Sequence, residues 1–243
     1  MKVSNNYSVF SKYYDQIMSG FSEKFNKRFN LLSKKFDFNL NSVLELACGT
    51  GNNLMFFNSD KTKIKYGLDI SKDMIDIAKS KLSDTTLLVQ DMTTFKIDKK
   101  FTLIFCFFDS INHLLDYNLW LKVFKNVRNH LSNDAYFIFD INTTLELNKS
   151  NTFTSVRNFN DKDIFIMRNS NIGKNTAKWE LSFFVHDYSN NYKRYEECIY
   201  ERTFEISRIK YDLNKFFSNV LVYNTIIEPY DENDSIAIFV CRK

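Results

Sequence analysis

Residues 43–54 read VLELACGTGNNL. An apolar run ends at Ala47, and Gly49 and Gly51 follow one residue apart. The chain has only five glycines in 243 residues, so two of them in one turn answer a local demand. A strand feeding a glycine turn, with a helix expected from near Asn52, describes the first unit of a strand–helix–strand fold. Glycine lets the backbone turn sharply and lets a ligand approach its N–H groups. Such a ligand would lie beyond the carboxyl end of the first strand, at the switch point of a doubly wound sheet. Taken alone, the pair could equally serve a tight turn and nothing more.

Working outward, residues 43–141 alternate short apolar runs with amphipathic stretches. The runs are VLELA, KIKYGLD, TLLVQD, FTLIFCFF and AYFIFDI. Between them, 71–82 reads as a helix with Ser71 as cap, Asp73 in its first turn, and Lys79 and Lys81 in its last. A second helix is expected over 116–131, capped by Asp116, with Leu119, Val123, Val127 and Leu131 along one face. Strands alternating with helices at this spacing predict a parallel sheet covered on both faces. Beyond residue 150 the period changes to two. Segments 163–169, 176–187 and 192–204 read as strands separated by the turn clusters NIGKN (171–175) and YSNN (188–191). An antiparallel insertion is therefore expected after the fifth strand. A helix over 208–217, capped by Ser207, and strands at 219–227 and 235–242 would close the chain. Residues 1–40 read as helices rich in Tyr and Phe.

Composition narrows the function. The chain is 44% hydrophobic, with 25 Phe and 13 Tyr, and carries a net charge of +4 from 33 basic and 29 acidic residues. That excess is too small and too dispersed to argue for nucleic acid by itself. Cys48, Cys106, Cys198 and Cys241 lie far apart, each in or beside an apolar run, and read as buried free thiols of a reducing compartment. The three histidines make no metal-ligand pattern, so no metal is expected. The apolar runs are of strand length and interrupted by charge, so neither a leader peptide nor a membrane span is expected. A cytoplasmic location follows from these readings.

The ligand is narrowed by what the turn lacks. The third position of a dinucleotide fingerprint is Leu54, and no Gly-Lys-Ser/Thr follows for a phosphate loop. Asp69 closes the second strand, where a carboxylate can accept both hydroxyls of a ribose. Asp91 and Met92 close the third strand beside the place of an adenine edge, and Glu45 adds negative charge beneath the turn. A nucleoside without phosphates, bearing a positive charge, fits this set.

At that point the chain resembles the class I S-adenosylmethionine-dependent methyltransferases. The matching stretches are ELACGTG (45–51), GLDISKDM (67–74), QDM (90–92), FFDSINHL (107–114), FDIN (139–142) and the terminal NDSIAIFVCRK. It is similar in layout to a branch of small cytosolic bacterial methyltransferases and to the amino-sugar N,N-dimethyltransferases, which share Tyr14-Asp15 and the β insertion. The resemblance implies a Rossmann-like, seven-stranded, mostly parallel sheet with the antiparallel insertion and N-terminal helices. Its parts would be an N-terminal helical lid (1–40), a cofactor-binding core (41–150), an insertion covering the acceptor (151–206), and a C-terminal return to the core (207–243).

The resemblance also implies roles. Ala47, Gly49, Thr50 and Gly51 would approach the methionine part of S-adenosylmethionine, with Glu45 organising the loop. Asp69 would hold the ribose, with Ile70 and Met74 on the adenine. Asp91 and Met92 would take the adenine edge, and Phe107 would line the cofactor. Tyr14 would sit near the methionine end and take part in catalysis. The product would be S-adenosylhomocysteine. His113, just past the fourth strand, is the candidate general base or else a wall of the acceptor site. Tyr7, Asp109, Asn112, Arg168, Trp179 and Arg194 are candidate acceptor contacts, with Glu201 and Arg202 offered beside them. Asp134-Ala135 replaces a glycine pair usual before the fifth strand, and Ile199 stands where relatives often carry histidine. The expected acceptor is the nitrogen or oxygen of a small molecule. The alternatives are tRNA or rRNA methylation and a non-catalytic cofactor-binding regulator. The chain would act as a monomer or homodimer.

Overall fold

The computed structural model describes residues 9–58, 60–149, 153–159, 162–187, 189 and 191–243. Two helices, α1 (Phe10–Ile17) and α2 (Phe21–Lys35), precede β1 (Ser42–Leu46), β2 (Ile64–Asp69), α3 (Lys72–Lys81) and β3 (Thr86–Val89). Then come β4 (Phe101–Cys106), α4 (Tyr117–His130), β5 (Leu131–Asn142) and a short α5 (Thr144–Asn148). Four strands follow: β6 (Phe153–Phe159), β7 (Asp163–Gly173), β8 (Thr176–His186) and β9 (Tyr192–Arg202). Helix α6 (Ile206–Leu213) and strands β10 (Asn219–Tyr223) and β11 (Ile236–Arg242) end the chain.

The main sheet runs in the order β10-β11-β5-β4-β1-β2-β3. Strands β1 to β5 pair in parallel, and β11 is antiparallel to both β5 and β10. This is the seven-stranded, mostly parallel sheet that the sequence implies. Every residue of β1 is buried, as a strand covered on both faces requires. On one face α2 and α3 bring Phe25, Phe29, Leu32 and Ile75 onto Val43, Leu103 and Phe105. On the other, α4 and α6 bring Trp120, Val123, Phe124 and Ile209 onto Leu44, Ile104 and Phe137. Chain order reverses between β1 and β4, so the crevice lies beyond their carboxyl ends.

The helix caps on this side are as expected. Ser71 accepts from the Met74 N–H at 3.3 Å and Asp116 from the Asn118 N–H at 2.9 Å. Other elements differ. After the glycine turn there is no α-helix, only one 3-10 turn at Leu54–Phe56. The Phe56 and Phe57 rings turn into the Phe25–Phe29 cluster, with Phe29 5.2 Å from Phe57, and that packing replaces a helical path. The buried stripe of α4 is Trp120, Val123, Phe124 and Val127; Leu119 is half-buried and Leu131 already belongs to β5. Helix α6 starts earlier than expected, after Glu205, with no side-chain cap. β10 stops at Tyr223 because Asn224 closes a turn, its Oδ1 accepting from the Ile226 and Glu228 N–H groups at 3.1 Å.

The insertion is a four-stranded antiparallel sheet, β6-β7-β8-β9, one strand more than the sequence periodicity foretells. Its central hairpin turns on Lys174 and Asn175, both left-handed at φ 53° and 56°, as a tight two-residue hairpin requires. Asp134, in place of the usual glycine pair, is left-handed as well (φ 56°) and pairs with Arg242 at 3.0 Å.

The insertion's inner face carries Phe165, Leu181 and Phe183, which pack with Phe10, Tyr13 and Ile17 of α1 and with Met74. Polar contacts fix the helix there. Glu197 Oε1 accepts from the Val9 and Phe10 N–H groups at 2.9 and 3.2 Å, at the free start of α1. Tyr13 Oη donates to Asp163 Oδ2 at 2.9 Å, and Arg157 donates to the Ile17 carbonyl at 2.9 Å. Cys48, Cys106 and Cys241 are free and buried, and Cys198 is half-buried. No described helix is long and apolar enough to cross a membrane.

Candidate active site

The turn after β1 is built from left-handed residues. Ala47 (φ 52°), Gly49 (53°) and Gly51 (82°) reverse the chain within five positions. Gly51 is also needed for space, since a Cβ there would stand 2.5 Å from Leu82 Cδ1. Beneath the turn Glu45 is buried, its Oε1 accepting from Asn53 Nδ2 at 2.7 Å while Oε2 has no partner. Burial lifts the Glu45 carboxyl well above its usual range, the Asn53 bond opposing this only in part.

Asp69, at the end of β2, braces the turn from the side. Its Oδ2 accepts from the Gly49 N–H at 2.9 Å and its Oδ1 from the Ser71 N–H at 2.8 Å. Burial raises this carboxyl too, against those two bonds. Beyond β3, Asp91 accepts from the Thr93 N–H at 2.7 Å and stands half-buried beside Met92. Ile70 is about half exposed (49%), and Met74 is buried at the α1–insertion contact.

Helix α1 covers the turn. A Cβ built on Gly49 would lie 3.7 Å from Tyr14 Cε1, so the bare glycine faces the ring. Burial, then the carboxyls of Asp69, Asp109, Glu45 and Asp15, push the Tyr14 hydroxyl far above its usual value. The next residue latches the helix: Asp15 accepts from Thr50 Oγ1 at 2.6 Å, Asn52 Nδ2 at 2.8 Å and Lys81 Nζ at 2.7 Å. Between helix and turn runs a cleft lined by Tyr14, Phe21, Glu45, Ala47, Phe107 and Phe108, together with small polar residues and Met18, with no lysine or arginine among the described residues that line it.

The far side of the cleft is the loop after β4. Phe108 and Asp109 are both left-handed (φ 58° and 49°), a strained arrangement of the kind found at functional sites. The Asp109 N–H donates to Asp140 Oδ1 at 2.9 Å, and Asp140 Oδ2 accepts from Arg28 at 3.0 Å. Asn112 is fully buried and works as a clamp. It donates to the Asn142 and Arg202 carbonyls at 3.3 and 3.0 Å and accepts from the Asn142 N–H at 3.1 Å. His113 Nδ1 lies 3.2 Å from the Tyr200 carbonyl, an acceptor that places a proton on Nδ1 and fixes the ring's orientation. Glu201 of β9 reaches the same place, its Oε2 accepting from Asn142 Nδ2 at 3.0 Å.

Residues 43–134 match the family model described as "Methyltransferase domain". The S-adenosylmethionine-dependent methyltransferase from Clostridium acetobutylicum ATCC 824 superposes with a TM-score of 0.81 at 26% identity, over 97% of this chain and 98% of that one. A candidate methyltransferase from Geobacillus sp. (strain WCH70) is 25% identical over 98% of this chain and 99% of its own length. The chain is an S-adenosylmethionine-dependent methyltransferase. The sugar N-methyltransferase KedS8 from Streptoalloteichus sp ATCC 53650 shares the fold, with a TM-score of 0.78 at 17% identity over 97% of this chain and 94% of that one.

Of the residues named from sequence for the cofactor of this methyltransferase, Tyr14, Glu45, Ala47, Thr50 and Phe107 line the cleft, with Gly49 against the Tyr14 ring. Met74 is instead buried against α1 and the insertion. Asp109 and His113 meet Glu201 beside the loop after β4, Asn112 is buried as their clamp, and Trp179 lies on the insertion's inner face. Arg168 and Arg194 do not join them. They alternate with the inner-face residues and are exposed on the outer face, Arg168 opposite Glu180 and Arg194 paired with Glu196. Ile199 packs in the inner-face cluster, and His186 stacks edge-on against Tyr192 at a hairpin end. Tyr7 lies outside the described residues. Three contributors were not singled out from sequence: Asp15 as latch, Asn53 as partner of Glu45, and Asp140. Asp140 had a readable signal, since an acid inside the apolar run AYFIFDI must find a partner once buried.

Proposed function

We propose that this methyltransferase binds S-adenosylmethionine between α1 and the glycine turn and transfers its methyl group to nitrogen or oxygen of a small molecule held under the insertion. The observation that carries this reading is the lining of the cleft: aromatic rings and a buried carboxylate, with no basic side chain among the described residues. A sulfonium is stabilised by such faces and oxygens, whereas a phosphate would be repelled. The orphaned Glu45 Oε2 and the two glycines fit the group as well.

Asp69 would take the ribose hydroxyls with lone pairs left beyond its two backbone bonds. Asp91 and the Met92 N–H would meet the adenine edge. The turn 47–51 would receive the methionine end, with Tyr14 and Phe107 against its sulfur. The cofactor supplies an already activated methyl, so the chain's task is alignment and exclusion of water. Tyr14, held neutral by burial, can do both. The acceptor side is closed by α1 and the insertion, packed together through Phe10, Tyr13 and Phe183, which favours a small acceptor over a polymer.

The test is transfer of labelled methyl from S-adenosylmethionine into a cell extract, separated by size and nuclease treatment. Label in the low-mass fraction is expected. Label in a nuclease-sensitive fraction would replace this reading with RNA methylation.

A further inference from the structure

Two acids meet on the acceptor side, Asp109 on the loop after β4 and Glu201 at the end of β9. Donor atoms of Asp109, His113 and Glu201 all lie within 4.8 Å of one another. Glu201 is only 5% exposed, and no lysine or arginine forms an ion pair with either acid among the described residues. Two carboxylates this close, Glu201 buried and Asp109 half-buried, favour sharing one proton over both staying ionised. Burial drives both upward, with Glu201 and Asp140 adding to Asp109.

An independent feature on the same wall points to a ligand. Asn169 and Trp179 are cross-strand partners on the inner face that also carries Glu201. Asn169 is 9% exposed, yet its Oδ1 has no hydrogen-bond partner, while the neighbouring Trp179 indole N–H is turned to Glu201. A buried polar atom left unpaired is costly, so this face is built to be completed. It offers an unfilled acceptor and a flat ring beside the two acids. A hydroxylated amine, entering as its ammonium, satisfies all of these together.

We propose that Asp109 and Glu201 form a proton-sharing pair that receives the acceptor as an ammonium and takes its proton, making the acceptor a primary or secondary amine. The inference rests on the methyltransferase reading above and selects nitrogen over oxygen. The ammonium gives one N–H proton to the Glu201 carboxylate, and its freed lone pair attacks the methyl. The new N–C bond forms as the S–C bond breaks with its electrons left on sulfur, and the product leaves as a methylated ammonium. His113, anchored to the Tyr200 carbonyl, then bounds the site while the carboxyl pair takes the proton. The groups facing the pair are His113 on the loop, Asp140 with Arg28 behind it, Glu146 of α5, Asn142 of β5 and Trp179 of β8.

A metal site is the competing use of the same three residues. It fits less well, because a divalent ion needs both carboxylates ionised, while one Glu201 oxygen is taken by Asn142 and His113 Nδ1 by Tyr200.

The experiment uses the full chain saturated with S-adenosylhomocysteine and 13C-labelled at Asp and Glu carboxyls. Methylammonium is the probe, methanol its neutral control, and Zn2+ and Mg2+ the competing ligands. Two carboxyl resonances should titrate together, respond to methylammonium and ignore methanol. Both Asp109→Asn and Glu201→Gln should cut that response about tenfold or more, with S-adenosylhomocysteine affinity retained. Independent titration of the two acids in the ordinary carboxylate range, or no response to methylammonium, would overturn the proposal. So would a tighter response of the same resonances to a metal ion. Failure to bind S-adenosylhomocysteine at all would instead remove the cofactor reading beneath it.

Discussion

Asp140 holds Asp109 by its backbone. The Asp140 Oδ1 accepts the Asp109 N–H at 2.9 Å while its Oδ2 accepts from Arg28 at 3.0 Å. Through this carboxyl, α2 is tied to the strained loop that forms one wall of the cleft. The left-handed Phe108 and Asp109 would otherwise relax, since each such residue costs about 1–2 kcal/mol.

The tie makes stability depend on pH in a defined direction. Burial raises Asp140 to about 6, with Arg28 pulling the other way. An acid whose folded-state pKa exceeds its unfolded value holds its proton more tightly when folded. Its contribution is therefore present at low pH and is lost as pH rises through about 6. Arg28→Met removes the counter-ion and should cost about 3–5 kcal/mol near neutral pH, where the carboxyl is buried and charged. Below the Asp140 midpoint the loss should shrink. Urea denaturation at the two pH values checks this, and an equal loss at both would contradict it.

Gly51 is fixed by strain and by space. Besides its φ of 82°, a Cβ would meet Leu82 Cδ1 at 2.5 Å and Ala78 Cβ at 3.3 Å. Gly51→Ala should lose about 1–2 kcal/mol to the left-handed backbone, with overpacking against α3 added. Thermal melting should drop by several degrees, and cofactor affinity should fall with it. An unchanged melting temperature would mean that the turn repacks freely.

Asp15 latches α1 to the turn through Thr50, Asn52 and Lys81. Burial pushes its carboxyl up, but the three hydrogen bonds outweigh it and leave it below the usual range. A depressed acid stabilises above its unfolded value, and that stability is lost as pH falls through its folded one. The side chain is 43% exposed, so Asp15→Asn should cost less than about 1 kcal/mol globally. Local opening should show more: amide exchange in α1 should speed up and cofactor should dissociate faster. Equal exchange in α1 would dismiss the latch.

The parallel core was legible because its signals are local. Five apolar runs, Ser71 and Asp116 at helix starts, and glycines at 49 and 51 each carry their meaning within a few residues. The sequence misleads where packing decides. Asn52 opens no α-helix because Phe56 and Phe57 are drawn onto Phe25 and Phe29, far away in the chain. Strand β6 is hidden in FTSVRNF, whose alternation is weak and whose partner β7 supplies the ladder. Period two could place Trp179 with Leu181 on one face, but the register with β7 and β9 was needed to send Arg168 and Arg194 to the other. The pairing of Asp109 with Glu201 joins a loop after β4 to the end of β9, and no spacing rule spans that distance.

The most direct measurement of the central claim is calorimetric binding of S-adenosylhomocysteine to the wild-type chain and to Asp69→Asn. The carboxylate holds the turn through Gly49 and Ser71 and is assigned the ribose hydroxyls, so the substitution exchanges an ionic acceptor for a neutral one. Hydrogen bonds to charged groups contribute about 1.5–3 kcal/mol. Wild-type binding with a loss of roughly tenfold to a hundredfold in the variant is the predicted result. Equal affinity in both proteins, or none in either, would contradict the placement of the cofactor in this cleft.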